Sequence, residues 1–275
     1  MPSSNLHVAE GVTTVAPAAR FAEVILGVRT AAVAFSGGVD SSVVLALLGR
    51  HLGPGNVTAV LGVSSSLADA ERAVAHDVAA GLGVRLMEVH TQEMADERYV
   101  VNDAARCYFC KHELYTRSLL EVVADLRVDL FANGDTADDV LSGDRPGRRA
   151  ALELGVRAPL AEAGIGKAEV REVARQLALP VWDKPSSPCL ASRIPRLIPV
   201  TTGRLREVER AELALRALGH RVLRVRHGGP VGLVELGPAE QATCSDPARR
   251  QEVEDAVRGA GFERVEISPQ ALVRD

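Results

Sequence analysis

The chain has 275 residues, of which 47% are hydrophobic and 25% are charged. This length suits one large α/β domain, or one domain with a smaller companion. The formal net charge of −4 argues against a general nucleic-acid-binding protein, because such proteins present basic surfaces. We therefore expect no nucleic-acid partner, although a local basic patch for RNA remains compatible with this charge.

No apolar run reaches the roughly 20 residues that a membrane helix needs, so we expect no membrane partner. Residues 1–20 lack the apolar core of a signal peptide, and we interpret them as a frayed tail. These features favour a cytoplasmic protein. In that compartment the four cysteines are better interpreted as thiols, metal ligands or catalytic groups than as disulfide partners.

Short apolar runs alternate with helical patterns through the first two-thirds of the chain. Runs without polar alternation are typical of strands that are buried on both faces. The predicted strands cover residues 31–35, 57–63, 84–89 and 129–132, and the predicted helices cover residues 41–52, 68–82, 112–126 and 167–177. Repeated strand–helix units predict an α/β fold with a mainly parallel sheet covered by helices on both sides.

A proline-rich segment interrupts this pattern at residues 182–199. It is neither a long helix nor a central strand, and we interpret it as an ordered loop at a domain boundary. Beyond it the pattern predicts helices at residues 201–218 and 247–260 and strands at residues 221–226, 231–236 and 264–267. The predicted organisation is a tail (1–20), a large α/β domain (21–195) and a small α+β domain (196–275).

A glycine-rich loop, SGGVDSS at residues 36–42, joins the first predicted strand to the first predicted helix. Gly37 and Gly38 let the backbone approach a phosphate, and Ser41 and Ser42 open a helix whose dipole favours an anion. A plain glycine turn with a serine cap is a common alternative. The loop has neither the Walker A pattern nor GxGxxG. It resembles the signature of PP-loop ATP pyrophosphatases, which cleave ATP to AMP and pyrophosphate.

The PP-loop resemblance implies that ATP binds along this loop, at Ser36, Gly37, Gly38, Asp40, Ser41 and Ser42. In that family the residue matching Asp40 places ATP and its Mg²⁺. A second polar segment, NGDTADD at residues 133–139, follows the fourth predicted strand, where ligands bind in open α/β sheets. The resemblance implies that Asp135, Asp138 or Asp139 contacts nucleotide or Mg²⁺; an Asx-rich turn that caps a helix fits equally well.

The cysteines fall into a CxxC pair, Cys107 and Cys110, and two single residues, Cys189 and Cys244. A CxxC pair alone fits a zinc half-site or a redox pair. Three thiolates can also bind three irons of a cubane cluster and leave the fourth iron open. Cations flank these thiols and favour the thiolate: Arg106, Lys111 and Arg193. Cys244 has no partner in the sequence and is best interpreted as a small buried hydrophobe.

Four motifs together are similar to the LarE family across nearly the whole chain. They are the CxxC pair followed by a helix, GDTADD (134–139), DRPGRRAA (144–151) and KPSSPCLASRIP (184–195). LarE proteins are PP-loop sulfur transferases that help make the nickel-pincer nucleotide cofactor of lactate racemase. The resemblance implies an adenine nucleotide alpha hydrolase-like fold, use of ATP and Mg²⁺, and a homo-oligomer. It also implies a small-molecule nucleotide substrate, pyridinium-3,5-biscarboxylic acid mononucleotide, which is adenylated and then converted to a thiocarboxylate.

The family has two sources of sulfur, and both would make these cysteines catalytic. In one, the cysteine matching Cys189 gives up its own sulfur and becomes dehydroalanine. In the other, three cysteines hold a 4Fe-4S cluster that carries an extra sulfide. Because Cys107 and Cys110 accompany Cys189, the sequence points to the cluster branch.

Charged residues near and beyond the proline-rich segment are the candidate substrate ligands. Arg224 and Arg226 lie two apart on a predicted strand and so share a face, and Arg193 follows the Cys189 motif. Three arginines suit bidentate binding of a phosphate and a carboxylate. Glu212 matches an acidic family residue near this site. A solvated strand face, with Glu212 in ordinary helix pairing, is the alternative.

Three other functions are compatible with the PP-loop. A tRNA thiolase of the same superfamily would need an RNA-binding surface. An ammonia-using amide synthetase, such as an NAD synthetase, would need no reactive cysteine. A non-catalytic nucleotide sensor would bind ATP without turning it over.

Overall fold

The computed structural model describes residues 16–143 and 145–272. Its first part is built on a parallel sheet of strands β1 (Ala31–Ala34), β2 (Val57–Val63), β3 (Arg85–His90) and β4 (Leu130–Ala132). The strand order is β3-β2-β1-β4, and every pairing is parallel. This arrangement confirms the predicted α/β fold with a mainly parallel sheet.

Helices cover this sheet and connect its strands. They are α1 (Ala16–Val24), α2 (Val39–Leu52), α3 (Asp69–Gly81), α4 (Glu97–Val100), α5 (Arg106–Ser118), α6 (Ala124–Leu126), α7 (Ala137–Leu141), α8 (Pro146–Glu153), α9 (Pro159–Glu162) and α10 (Lys167–Gln176). A π-helical turn, Leu119–Val123, joins α5 to α6. None of the described helices combines the length and apolarity needed to cross a membrane.

The apolar runs explain the position of the sheet. Ala31, Ala32 and Val33 in β1 have no exposed surface, as expected for a strand covered on both faces. Helix α2 is buried from Val43 to Leu48 and packs on β1, β2 and α10. The amino terminus of α2 therefore lies at the carboxyl end of the central strand, where ligands bind in such sheets.

Two predicted boundaries were wrong. Helix α5 begins at Arg106, six residues before the predicted start at 112, so the CxxC pair lies in its first turn. Just before that turn, the Asp103 side chain accepts a hydrogen bond from the Ala105 N–H at 2.7 Å. At the amino terminus, α1 begins at Ala16 and buries Phe21. Residues 16–20 of the predicted tail are therefore helical, while residues 1–15 lie outside the described part of the chain.

The proline-rich segment contains no α-helix or strand and only a short 3₁₀ turn, Leu190–Arg193. After it come α11 (Thr202–Ala217), β5 (Leu223–Gly228), β6 (Val231–Leu236), α12 (Pro238–Thr243), α13 (Pro247–Gly259) and β7 (Arg264–Ile267). Strands β5 and β6 are antiparallel, and β6 and β7 are parallel. This carboxy-terminal unit has its own apolar core, and the division of the chain at residue 195 stays a prediction.

Candidate active site

The phosphate loop is a tight turn between β1 and α2 that only glycine fits at one position. Gly37 has a φ of +69°, and a Cβ there would lie 2.9 Å from the Cα of Ala75. The Ser42 hydroxyl donates to the Gly38 carbonyl at 2.7 Å, and the Ser36 and Ser41 hydroxyls lie 3.2 Å apart. These bonds hold the start of α2 in the form expected of an anion-binding loop.

The loop after β4 packs directly on the start of α2. A Cβ added to Gly134 would lie 2.8 Å from the Ser41 nitrogen. The Asn133 amide donates to the Asp135 carboxylate at 3.0 Å, which fixes that side chain at the same edge of the sheet. Because β1 and β4 are neighbours, the structure brings Asp135 and the phosphate loop together.

Asp40 is an acidic group at this edge of the sheet whose pKa is strongly raised. Burial, followed by the nearby charge of Asp139, raises the pKa of Asp40 to about 6 from 3.8, although Lys167 and Arg171 oppose the rise and Asp135 adds to it. Clustered carboxylates of this kind are the oxygen ligands that Mg²⁺ uses beside substrate phosphates. The donor set therefore fits Mg²⁺, with Asp40 and Asp135 as the candidate ligands.

The other two aspartates of the NGDTADD segment support the backbone. Asp139 accepts hydrogen bonds from the N–H and the hydroxyl of Thr136 at 3.0 and 2.8 Å and pairs with Arg145 at 2.8 Å. Burial opposes ionisation of Asp139, but these bonds outweigh it and the pKa is lowered. Asp138 accepts from the Lys167 N–H at 2.5 Å. The interpretation as caps thus accounts for both side chains, and a nucleotide contact by Asp138 stays a prediction.

Arg106 connects Cys107 to the segment that carries Cys189. Its guanidinium donates to the Ala191 carbonyl, two residues after Cys189, at 2.7 Å, and to the Cys107 sulfur at 3.8 Å. Burial opposes its charge, yet the neighbouring thiols of Cys189 and then Cys107 leave the pKa of Arg106 raised overall. Arg106 thereby links the first turn of α5 to the segment that carries Cys189.

The cysteines differ in exposure. Cys107 and Cys189 are exposed, whereas Cys110 is half-buried. Burial, followed by the charges of Cys189 and Glu93, raises the pKa of the Cys110 thiol to about 12. Cys244 is buried in the core of the carboxy-terminal unit, where it packs as a small hydrophobe.

The Cys110 thiol lies close enough to those of Cys189 and Cys107 for their charges to raise its pKa. Three neighbouring thiols form a donor set whose chemistry fits a 4Fe-4S cluster, since each cluster thiolate binds a different iron. The described residues contain no group of three or more His, Cys, Asp or Glu side chains arranged around a single metal ion. The 4Fe-4S cluster therefore stays a prediction.

Arg193 and Glu212 form a buried ion pair. Their side chains are each 3% exposed, and two bonds join them, Nε to Oε1 at 2.8 Å and Nη2 to Oε2 at 3.2 Å. Arg193 also donates to the Pro188 carbonyl at 2.5 Å, and Glu212 accepts from the Val225 N–H at 3.1 Å. The pair therefore fastens the Cys189 segment to α11 and β5, and direct substrate contact by either residue stays a prediction.

A cavity of about 170 Å³ opens between the proline-rich segment and the carboxy-terminal unit. Its charged lining is mainly cationic: Lys184, Arg193, Arg216, Arg221 and Arg224, with Glu71 as the acidic member. The Arg224 Nε is buried and has no hydrogen-bond partner among the described residues. Burial, followed by repulsion from Arg193 and Arg226, lowers the pKa of Arg224. An anion in this cavity would relieve both effects.

Of the three arginines predicted to bind substrate, Arg193 and Arg224 line the cavity and Arg226 does not. Arg226 pairs with Glu235 at 2.7 Å on the neighbouring strand. Four charged residues of the cavity were not predicted as ligands: Lys184, Glu71, Arg216 and Arg221. For Lys184 a signal existed, since it opens the KPSSPCLASRIP motif. Glu71 lies on α3 outside every motif, so the sequence did not indicate a role for it.

The chain is similar to known proteins over most of its length. The sequence profile of the family described as asparagine synthase matches residues 27–216. An uncharacterized protein of Synechocystis sp. is 42% identical over 76% of this chain and 77% of its own length. The pyridinium-3,5-bisthiocarboxylic acid mononucleotide synthase of Lactiplantibacillus plantarum is 34% identical over 75% of this chain and 74% of its own length. With a PP-loop fold, an ATP-using family and this relative, the chain belongs to the LarE family of ATP-dependent sulfurtransferases.

Proposed function

We propose that the enzyme adenylates a carboxylate of pyridinium-3,5-biscarboxylic acid mononucleotide and converts it to a thiocarboxylate. The observation that carries this proposal is the course of residues 184–193. The segment begins with Lys184, whose ammonium donates to the phosphate-loop carbonyl of Gly37 at 3.2 Å. It then carries Cys189 and ends at Arg193 on the basic cavity. One short segment thus adjoins the places proposed for ATP, sulfur and substrate.

In the first step, the amides of the phosphate loop and the dipole of α2 bind the pyrophosphate portion of ATP. Asp40 and Asp135 would hold Mg²⁺, which would neutralise phosphate charge. A substrate carboxylate oxygen attacks the α-phosphorus, and the bond to the bridging oxygen breaks. Pyrophosphate leaves with the electron pair, and the substrate becomes an acyl adenylate.

In the second step, a sulfur nucleophile attacks the acyl carbon, and the carbon–oxygen bond to AMP breaks. If Cys189 is the donor, its thiolate forms a thioester. Loss of the Cys189 α-proton to a base then breaks the Cβ–S bond, leaving dehydroalanine and a free thiocarboxylate. Alternatively, Cys107, Cys110 and Cys189 would hold a 4Fe-4S cluster, which would supply a replaceable sulfide as the nucleophile. The CxxC pair favours this second source.

The cavity is the proposed site for the substrate phosphate. Arg224, with its unpartnered Nε, would contact the anion, and Arg226 and Arg193 add positive charge nearby. Glu212 holds Arg193 in place. The mainly cationic lining of the cavity suits the phosphate group of a mononucleotide. A homo-oligomer remains part of the proposal.

Two substitutions test the two steps separately. Asp40→Ala should abolish ATP-dependent pyrophosphate release, and full retention would contradict the assignment of the first step. Cys189→Ser should spare pyrophosphate release but stop thiocarboxylate formation, whereas Cys244→Ala, as the matched control, should retain both. Stimulation by tRNA instead of the mononucleotide would favour a tRNA thiolase, and activity without any cysteine would favour an amide synthetase.

Iron and sulfide analysis of protein purified without oxygen tests the sulfur source. About four irons per chain, lost in a Cys107→Ala/Cys110→Ala variant, would support the cluster. An iron-free wild type after attempted reconstitution would point to Cys189 as a single-use donor.

A further inference from the structure

Lys184 is a largely buried cation held between two acceptors. Its side chain is 17% exposed, and its ammonium donates to the Glu71 carboxylate at 2.6 Å and to the Gly37 carbonyl at 3.2 Å. Glu71 lies in the first turn of α3 and is 20% exposed. The two residues are 113 positions apart, so the contact joins the phosphate loop, α3 and the start of the Cys189 segment.

An ammonium has three N–H groups, and two of those of Lys184 have partners among the described residues. Gly37 belongs to the loop whose amides face the phosphates in the proposed function. A polyphosphate on that loop would therefore lie within reach of the Lys184 ammonium and would compete with Glu71 for it, because a polyphosphate carries more negative charge than one carboxylate.

The backbone at Lys184 is also anchored. The position of the Lys184 ammonium is therefore tied to the start of the segment that carries Cys189. The Arg171 guanidinium donates to the carbonyls of Lys184 and Trp182 at 3.2 and 3.1 Å. At the other end, the buried pair with Glu212 holds Arg193. Cys189 lies between these two fixed points, five residues after Lys184.

We propose that Lys184 contacts the pyrophosphate portion of ATP and thereby positions the Cys189 segment for sulfur transfer. Glu71 holds the ammonium when the nucleotide is absent and releases it when the nucleotide binds. This inference rests on the proposed adenylation, and it assigns to Lys184 and Glu71 opposite effects on ATP binding.

The opposite effects provide the first test, with pyrophosphate release as the assay. Loss of a charge-assisted contact in Lys184→Met should raise the KM for ATP by about tenfold, and Lys184→Arg should recover part of it. Glu71→Gln should leave that KM unchanged or lower it, because the ammonium loses its competing partner. Arg175→Met removes an exposed cation that pairs with Glu172 and serves as the control.

A purely structural ion pair predicts a different pattern. In that case Lys184→Met and Glu71→Gln would raise the KM for ATP alike, and this result would overturn the proposal. An unchanged KM in Lys184→Met would overturn it as well. If Lys184→Met does not fold, Lys184→Arg and Glu71→Gln still separate the two accounts.

The coupling to Cys189 has a readout that does not depend on sulfur transfer. The rate of Cys189 alkylation by iodoacetamide, followed by peptide mass spectrometry, should change in the wild type when a non-hydrolysable ATP analogue is added. The same analogue should have no effect on that rate in Lys184→Met at a saturating concentration. An equal response in both proteins would refute the coupling. Absence of pyrophosphate release in the wild type would instead refute the proposed function itself.

Discussion

Removal of either partner of the Arg193–Glu212 pair should destabilise the protein strongly. Both side chains are 3% exposed and share two hydrogen bonds. Glu212→Gln would leave the Arg193 charge buried without its partner, and Arg193→Met would leave Glu212 with only the longer contact to Arg216 at 3.5 Å. A buried charge that loses its partner costs about 3–5 kcal/mol, so we expect the larger loss for Glu212→Gln. That cost is a large part of the roughly 5–15 kcal/mol by which domains are stable. The exposed Arg175–Glu172 pair is the control, and its loss should leave the stability nearly unchanged, because solvent screens exposed ion pairs.

Urea denaturation followed by circular dichroism measures these costs as shifts in midpoint at constant slope. A double variant, Arg193→Met/Glu212→Leu, should be more stable than either single variant, because no unpaired charge remains in it. Losses below about 1 kcal/mol in both single variants would show that the charges are not isolated from solvent. Strictly additive losses in the double variant would show that the two side chains do not interact.

Two further predictions concern the nucleotide side of the site. Folding raises the pKa of Asp40 from 3.8 to about 6, so the folded state favours the protonated carboxyl by up to about 3 kcal/mol. This contribution to the free energy of unfolding is fully present below about pH 4 and is lost as the pH rises through about 6. Asp40→Asn should therefore raise the melting temperature at pH 8 while abolishing pyrophosphate release, and a lower melting temperature there would contradict the electrostatic account. Gly134→Ala places a Cβ 2.8 Å from the Ser41 nitrogen and should raise the KM for ATP by about tenfold or more, as expected for about 1.4 kcal/mol of lost binding. Gly55→Ala, which meets nothing within 4 Å, should leave this KM unchanged.

The sequence was sufficient for the parts of the fold that depend on local pattern. The apolar runs of β1 and β2 predicted buried parallel strands, and the glycines of the phosphate loop predicted a turn. The structure shows that a side chain at Gly37 would clash with Ala75 in that turn. The start of α5 was missed because Cys107, Tyr108 and Phe109 combine modest helix propensity with no apolar period. Helix α12 was missed because a segment this short carries little pattern.

Ion pairs between residues that are distant in the sequence could not be predicted from local pattern. The sequence pointed to Arg193 and Glu212 as separate substrate ligands, whereas the fold pairs them with each other across 19 positions. Arg224 and Arg226 share a strand face as expected, yet Arg226 is held by Glu235 on the adjacent strand. Lys184 and Glu71 meet only because α3 and the proline-rich segment both adjoin the phosphate loop. Such partners depend on tertiary packing, which no spacing rule encodes.

Three of the contacts that fix the Cys189 segment use its backbone. Arg106 binds the Ala191 carbonyl, Arg193 binds the Pro188 carbonyl, and the Leu190 N–H donates to the Ser66 carbonyl. None of these bonds involves the Cys189 sulfur. If Cys189 is the donor, a spent chain with dehydroalanine at position 189 would keep its shape and still bind substrate. Spent copies would then sequester substrate from fresh ones, and the flux of product would depend on how quickly a cell removes or repairs them.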